Sequence, residues 1–266
     1  MALRCGIPLA LALIVLVVGA WPQWAQAQTS GWICLSDDFS AWNENRGEWS
    51  IGGDARVDPN QPKQLEALPG TGVLVGMGKK KAKNLVSTQK FRDCEVWVDF
   101  LVGPGSNAGV KLNGMYEIQI LDTGGKSDDT GNQTGGIYPR AEAKPKYHYL
   151  DKGAPPMVPA AKPAGEWQTL YIRFRAPRFD AAGNKTQNAR FLLVALNGQV
   201  IHENAELKTP TGNWKQTEVP EGSLLLQGDH GPVAFRNVWV RPISEPTMIY
   251  ASSGARGRIL GRLRRW

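Results

Sequence analysis

The stretch Cys94-Glu-Val-Trp-Val-Asp-Phe100 carries the clearest strand pattern in the chain. Val96, Val98 and Phe100 share one face, because side chains alternate between the two faces of a β-strand. Glu, Trp and Asp occupy the other face. The stretch therefore predicts a strand with one face in a hydrophobic core.

The same pattern recurs in other short runs, which turn residues separate. These runs cover residues 170–174, 190–196, 223–227 and 233–241. Asn197-Gly198 follows the second run and precedes another apolar pair, which is a strong hairpin signal because both residues tolerate the positive φ of a type I′ turn. The body shows no long amphipathic helix. The pattern predicts an all-β chain folded as a two-sheet antiparallel β-sandwich or jelly roll.

The N-terminus predicts export. Arg4 precedes an almost wholly apolar run from Ile7 to Ala20, and Ala25-Gln-Ala27 supplies an A-x-A pattern. This order is typical of a secretory signal peptide, and the run is shorter than the roughly 20 residues of a membrane-spanning helix. We expect a signal peptide at residues 1–27, one domain at 28–245, a basic tail at 246–266 and a periplasmic or extracellular location.

The positive charge lies mostly outside the body of the chain. The formal net charge is +7, but Arg4 and the five arginines among the last thirteen residues account for six of those charges. The nearly neutral body argues against a nucleic-acid-binding domain, whose basic residues should line a folded face. The tail is expected to be solvated, or to form a short basic helix that contacts an anionic surface.

Cysteines and acidic residues leave two further alternatives open. Cys34 and Cys94 either form a disulfide in an oxidising compartment or serve as two small buried apolar residues. Asp128-Asp129 could offer oxygen ligands to a divalent ion. The spacing there matches no ion-binding motif, however, and favours a solvated turn. No metal site and no cofactor are predicted.

Two long segments mark the expected rim of a binding site. Residues 123–134 are rich in Gly, Asp and Ser, and residues 139–163 are rich in Pro and Lys. Both are longer than ordinary hairpin loops, and long loops in a compact domain are usually functional or disordered. They flank one strand-and-turn region, where we expect the site.

The strand beside these loops is predicted at Tyr116-Glu-Ile-Gln-Ile-Leu-Asp122. Its apolar residues would face the core and direct Glu117 and Gln119 to the opposite face. A carboxylate and an amide at positions i and i+2 suit sugar hydroxyls. Asp122 ends the strand. The alternative is an ordinary solvated face that ends in an Asp turn.

Two residues near the C-terminal end of the body could also carry chemistry. His230 lies in a glycine-containing turn after a strand, where it is a candidate general acid or base, although a loop histidine is often structural. Arg236 shares parity with Val238 and Val240, so we expect it to point inward to a carboxylate such as Glu117 or Asp122. That pair would either act in the site or fix two strands.

Seven blocks, in order, carry a resemblance to one family. The blocks are Trp32 to Ser40, Ser106-Asn-Ala-Gly-Val110, Tyr116 to Asp122, Gly135-Gly-Ile-Tyr138, Lys162-Pro-Ala-Gly-Glu-Trp167, Leu196-Asn-Gly198, and Gly222 to Asn237 with His230-Gly231 inside it. Together they resemble the 3-keto-disaccharide hydrolase family, which was long described as domain of unknown function 1080. The resemblance spans roughly residues 31–243.

The resemblance implies a concanavalin A-like jelly roll that acts on glycosides already oxidised at C3. Such a ketone acidifies the hydrogen on C2, so that a base can remove it and the C1 leaving group can depart. It implies two sets of site residues. The catalytic candidates are Glu117, Asp122 and His230. The substrate-binding candidates are Asn107, Lys111, Gln119, Tyr138, Gln227 and Arg236. Lys111 replaces an Arg that is usual in the family, and Lys cannot make a bidentate planar contact.

Two functional hypotheses follow, with carbohydrate as the partner in both. The first is an exported enzyme that cleaves 3-keto-glycosides, with its acid–base groups convergent in one site. The second is a non-catalytic carbohydrate-binding sandwich at the cell surface. A structural sandwich without a ligand is a weaker third interpretation.

Overall fold

The strand predicted from Cys94 lies in the middle of the larger of two sheets. The computed structural model describes residues 31–77 and 82–243, and this part of the chain forms seventeen strands and no helix. Strands of the larger sheet are β1 (Ile33–Cys34), β2 (Ser50–Asp58), β3 (Gln61–Gly76), β5 (Cys94–Val102), β10 (Gln168–Arg175), β13 (Ala189–Leu196), β14 (Gln199–Leu207) and β17 (Val233–Pro242). Their order is β14-β13-β10-β5-β17-β3-β2, and β1 also pairs with β17.

The smaller sheet holds the strand with Glu117 and Gln119. Its strands are β4 (Leu85–Phe91), β6 (Asn107–Leu112), β7 (Tyr116–Leu121) and β16 (Gly222–His230), in the order β4-β16-β6-β7. Every pairing within both sheets is antiparallel. The five remaining strands are short: β8 (Arg140–Glu142), β9 (His148–Tyr149), β11 (Arg178–Phe179), β12 (Lys185–Gln187) and β15 (Gly212–Asn213).

One hydrophobic core joins the two sheets. Val96, Val98 and Phe100 of β5 and Ile118 and Ile120 of β7 are fully buried in the same cluster. Alternation along both strands therefore follows the predicted pattern. The structure confirms the all-β, two-sheet antiparallel sandwich.

The predicted hairpin between β13 and β14 is also present. Asn197 and Gly198 both have positive φ, 51° and 80°, as a type I′ turn requires. The Asn197 side chain accepts a hydrogen bond from the Thr169 N–H and donates one to the Ala160 carbonyl. The turn thus connects the hairpin to the segments beside it.

A β-bulge in β17 overturns the predicted orientation of Arg236. The register shifts between Arg236 and Trp239, and Asn237 has a φ of 50°. Because the bulge inserts an extra residue, Phe235 and Val238 both point into the core. Arg236 therefore points away from the core, and parity with Val238 gave the wrong face.

The structure also tests the alternative in which Cys34 and Cys94 form a disulfide. Cys94 is a free, buried thiol, so a Cys34–Cys94 disulfide is absent. Burial raises the pKa of the Cys94 thiol, and the nearby charges of Asp93 and Glu95 raise it further.

The predicted signal peptide and basic tail lie outside the described residues. Within residues 31–77 and 82–243, no helix is long and apolar enough to cross a membrane.

Asn237 offers a test of the bulge. Its side chain donates a hydrogen bond to the Asp99 carboxylate at 2.8 Å, and its backbone occupies the left-handed region. Asn237→Gly and Asn237→Ala both remove the hydrogen bond, but only Ala keeps a Cβ in this conformation, which costs about 1–2 kcal/mol, without the local polar contacts by which Asn tolerates it. We expect Asn237→Ala to have the lower free energy of unfolding by about 1 kcal/mol in urea titrations. Equal stabilities would contradict a strained bulge.

Candidate active site

The outer face of the smaller sheet gathers most of the predicted site residues into rows across the strands. Directly paired residues project to the same face of a sheet. Lys111 pairs with Glu117, and Asn107 pairs with His230. Between these two rows, Gly109 pairs with both Gln119 and Gln227. The sandwich core lies on the other face.

The segment after the Gly-rich loop adds a further strand-like edge to this sheet. Ile137 bridges to Ile118, and the Tyr138 N–H donates to the Glu117 carbonyl at 3.2 Å. Ile118 and Ile137 face the core. Tyr138 therefore projects to the same face as Glu117.

Glu117 is a buried carboxyl at the centre of this face. Its residue exposure is 2%, and Oε2 lies 3.0 Å from Nζ of Lys111. Oε1 lies over Gly109, where an added Cβ would meet it at 2.2 Å. Burial raises the pKa of Glu117, and the Lys111 ammonium opposes that shift. The glycine thus provides the space into which the carboxyl folds.

Gln119 is equally buried and only partly satisfied. Its Nε2 donates to Oδ1 of Asn132 at 2.9 Å, and its residue exposure is 1%. Its Oε1 has no hydrogen-bond partner among the described residues. The prediction that β7 directs Glu117 and Gln119 away from the core holds, but the alternative of a solvated face does not. Residues 134–138 cover this edge of the strand.

His230 is the exposed titratable group of the face. Its side chain is 59% exposed, and Nδ1 lies 2.6 Å from Oδ1 of Asp229 and 3.0 Å from Nε2 of Gln227. A carboxylate only accepts hydrogen bonds, so the shorter contact, with Asp229, favours a proton on Nδ1, and the Gln227 amide nitrogen is then a neighbour of Nδ1 and not its donor. Nε2 is then the nitrogen that carries a lone pair.

The charges of Asp229 and His230, at one end of the face, act on Glu117. His230 lowers the pKa of Glu117, whereas Asp229 raises it. Both effects are weaker than the burial of Glu117 and its pairing with Lys111. The structure therefore brings Asn107, Lys111, Glu117, Gln119, Tyr138, Gln227 and His230 to one surface.

Arg236 does not join that surface. It lies on the outer side of the larger sheet, with NH1 3.4 Å from Asp54, Nε 3.6 Å from Asp99 and its guanidinium 4.0 Å above the Trp167 ring. The predicted pairing with Glu117 or Asp122 is therefore wrong. The bulge described above is the physical reason.

Asp122 closes the turn at the end of β7. Its two carboxylate oxygens accept hydrogen bonds from the N–H groups of Gly105 and Gly124, at 2.8 and 2.9 Å. These contacts give Asp122 a structural role, as in the Asp-turn interpretation.

The acidic pair in the Gly-rich loop is engaged in local contacts. Asp128 accepts from Thr130 and Gln133, and Asp129 forms an ion pair with Lys152. Across residues 31–77 and 82–243, no group of three or more His, Cys, Asp or Glu is arranged to hold a metal ion. The turn interpretation of Asp128-Asp129 agrees with these contacts.

A tyrosine cluster beside Glu117 was not predicted in full. The hydroxyl of Tyr138 lies 2.8 Å from that of Tyr147 and 3.2 Å from that of Tyr149. Tyr147 and Tyr149 lie in the Pro-rich segment, outside any run of alternating apolar residues. That position is the only sign in the sequence that they are exposed. Gly109 was also missed, because only the folded Glu117 shows why a side chain there is excluded.

Two surface cavities lie away from this face. One, of about 430 Å³, is beside Trp42 and Arg46, and the other, of about 550 Å³, is beside Arg175 and Arg190. Neither is lined by Glu117 or His230. We place the site by its convergent acid–base groups because shape alone carries no chemistry.

The chain is thus an antiparallel β-sandwich with a polar face and adjacent tyrosines on its smaller sheet. Residues 31–241 match the model of the 3-keto-alpha-glucoside-1,2-lyase-like domain, and the chain belongs to this family. The recognised resemblance is thereby confirmed.

Several solved structures are similar to the chain. A candidate glycosyl hydrolase from Parabacteroides distasonis ATCC 8503 is 27% identical, with a TM-score of 0.59 over 80% of this chain and 84% of that chain. A second candidate glycosyl hydrolase from the same organism is 16% identical, with a TM-score of 0.49 over 85% of this chain and 99% of that chain. No curated protein matches the chain. Family and first relative agree on a carbohydrate-active domain.

The contact between Gly109 and Glu117 can be tested with a double-mutant cycle. Gly109→Ala should lower the free energy of unfolding by about 1–3 kcal/mol, because the new methyl overlaps the carboxyl. The same change made in Glu117→Ala should cost much less, since the overlapping atoms are gone. Urea unfolding of the four proteins measures the coupling. Additive effects would contradict the proposed contact.

Burial of Glu117 predicts a pH-dependent stability. Because its folded-state pKa is raised above the ordinary value of 4.5, its contribution to stability is fully present below that value and is lost as pH rises through the folded-state pKa. Glu117→Gln does not titrate, so wild-type Tm minus variant Tm should fall as pH rises above 4.5. Glu66→Gln, at an exposed glutamate paired with Arg56, is the control without a burial cost. An unchanged difference across this range would contradict a raised pKa.

Proposed function

We propose that this domain cleaves 3-keto-glycosides by removal of the C2 proton and loss of the C1 leaving group, followed by addition of water. Membership of the 3-keto-alpha-glucoside-1,2-lyase-like family supports this reaction, because loss of H–C2 and O–C1 is a 1,2-elimination. A single observation carries the proposal for this chain. One sheet face combines a buried carboxyl–ammonium pair with a carboxylate-backed histidine.

His230 is the proposed base. Asp229 holds Nδ1, so Nε2 can accept a proton, and the exposed imidazole can approach a bound sugar. As Nε2 takes the C2 proton, the C2–H electrons form a C2=C3 double bond and the ketone oxygen becomes an enolate. Asp229 stabilises the imidazolium that results, so it is a positioning residue.

Lys111 is the proposed partner of the enolate oxygen. Its ammonium is fixed by Glu117 and remains partly exposed, so it can face both the buried carboxylate and the substrate. A fixed cation at the place where negative charge develops lowers the barrier, because it needs no reorganisation during the reaction. Glu117 acts through Lys111 and is a positioning residue in this scheme.

The same histidine completes the proton balance. The enolate collapses to the C3 ketone with a new C1=C2 double bond, and the C1–O bond breaks. Imidazolium Nε2 gives its proton to the departing oxygen. For hydration, His230 takes a proton from water as the oxygen adds at C1, and then returns that proton to C2. The net reaction consumes one water and releases a 3-keto-sugar and an alcohol.

Polar side chains beside these groups suit the sugar hydroxyls. Asn107 and Gln227 present partly exposed amides on the same face, and an amide can both donate and accept. The predicted signal peptide further supports a role outside the cytoplasm. We therefore propose an exported enzyme whose basic C-terminal residues contact an anionic surface.

Substitution of His230 tests this function. With methyl 3-keto-glucoside as substrate, His230→Asn should lower kcat by about 10²–10⁴-fold, because proton transfer to and from C2 loses its carrier. His148→Asn is the control, since His148 is the exposed histidine of β9 and lies outside the proposed machinery. Release of the 3-keto-sugar is followed by chromatography.

The wild-type result separates the enzyme from the binding module. Sugar binding without turnover of methyl 3-keto-glucoside would favour a non-catalytic carbohydrate-binding sandwich. Turnover that survives His230→Asn unchanged would contradict the assignment of the base.

A further inference from the structure

The exposed large apolar side chains of the described residues all lie in one segment. They are Tyr147, Tyr149, Leu150 and Met157, within the Pro-rich stretch 139–163. Tyr147 and Tyr149 are 51% and 44% exposed. Elsewhere in residues 31–77 and 82–243, large apolar side chains are at least partly covered. Exposed apolar side chains that are grouped in one segment often mark a binding site.

Tyr138 fixes the two exposed tyrosines next to the catalytic face. The three hydroxyls meet, and the Tyr149 ring stands at 82° to the rings of both Tyr138 and Tyr147, with centroids 5.7 and 5.8 Å away. Burial and these hydroxyl contacts raise the pKa of Tyr138. Its hydroxyl is therefore neutral at physiological pH and can both donate and accept.

Backbone contacts hold the segment in place. Tyr149 pairs with Ala141, and the Leu150 N–H donates to the Arg140 carbonyl at 2.8 Å. Asp151 accepts from Nε of Arg140 at 2.6 Å. The tyrosine rings are therefore preorganised, which reduces the entropy lost when a ligand binds.

The position of the tyrosines across the sheet indicates which part of a substrate they would meet. His230 lies on β16, and Tyr138 lies three strands away, beyond β6 and β7. At about 4.8 Å per strand, the two residues are roughly 14 Å apart across the sheet, and they also lie in different rows along the strands. One pyranose ring does not span this distance, whereas a second ring linked through C1 extends toward Tyr138.

We propose that Tyr147 and Tyr149 form a subsite for the leaving-group sugar of a 3-keto-disaccharide. This inference rests on the proposed function, which puts the oxidised ring between Lys111 and His230. An exposed tyrosine ring can pack on the apolar face of a pyranose, and the joined hydroxyls can bind its hydroxyl groups. The subsite deepens the proposed function by making the enzyme selective for a sugar over a small alkyl leaving group.

Two substrates distinguish this subsite from a general structural role. Tyr147→Ala and Tyr149→Ala should each lower kcat/KM for a 3-keto-disaccharide about tenfold, mostly through KM. Neither should alter kcat/KM for methyl 3-keto-glucoside by more than about twofold, because that substrate lacks the second ring. Leu150→Ala and Met157→Ala, which truncate exposed side chains of the same segment, should leave both values unchanged.

The conservative variant Tyr147→Phe separates ring packing from hydrogen bonding, because it keeps the ring and removes the hydroxyl. Tyr147→Phe should keep most of the selectivity if the ring face carries it. Equal losses on both substrates, or no loss on either, would overturn the subsite. Tm values for each variant identify any loss that comes from unfolding.

A third measurement keeps the subsite separate from the catalytic proposal. If the wild-type protein turns over neither substrate, the proposed function fails. Calorimetric titration with the unoxidised disaccharide then decides the subsite. Binding that is lost in Tyr147→Ala but not in Leu150→Ala would support it, and absence of binding to the wild type would overturn it.

Discussion

The candidate site depends on a carboxyl that is folded into the sheet and has one cation beside it. Glu117 is placed between Lys111 and the bare backbone of Gly109. A buried carboxylate is costly unless it is paired, so Glu117 and Lys111 constrain each other. Because Lys111 is partly exposed, its ammonium is held in a fixed position at the surface. His230 is placed on the same face by register rather than by direct contact with Glu117.

This arrangement depends on β7, the edge strand of the smaller sheet, which other segments cover. A terminal strand usually leaves its backbone groups to solvent. Residues 134–138 and Thr211 instead bond to β7, and the Glu117 N–H donates to Oγ1 of Thr211 at 3.0 Å. The Gly-rich loop therefore does two things. It buries Glu117 and Gln119, and it delivers Tyr138 to the same face.

Strand positions and faces could be predicted wherever alternation is uninterrupted. β5, β7 and the Asn197-Gly198 hairpin satisfy this condition, and their faces were predicted correctly. Arg236 failed because a bulge changes parity without leaving a mark in the pattern of hydrophobic residues. Seven of the residues that the resemblance singled out share one face beside the smaller sheet, but the resemblance could not show that Glu117 is buried. Residues 134–138 cause this burial. They lack the alternation of a strand, so only the folded chain shows that they cover Glu117.

The two sides of the face differ in how they meet a sugar. On one side, Lys111 is a fixed cation and His230 a proposed base, and each is oriented by a carboxylate, which suits charge that would appear only during the proposed reaction. Around Tyr138 the groups are neutral and linked hydroxyl to hydroxyl, which suits a ring whose charge never changes. In the proposed reaction, binding on the neutral side would leave Lys111 free to stabilise the enolate. Uniform binding there would stabilise substrate and transition state alike and would not raise kcat.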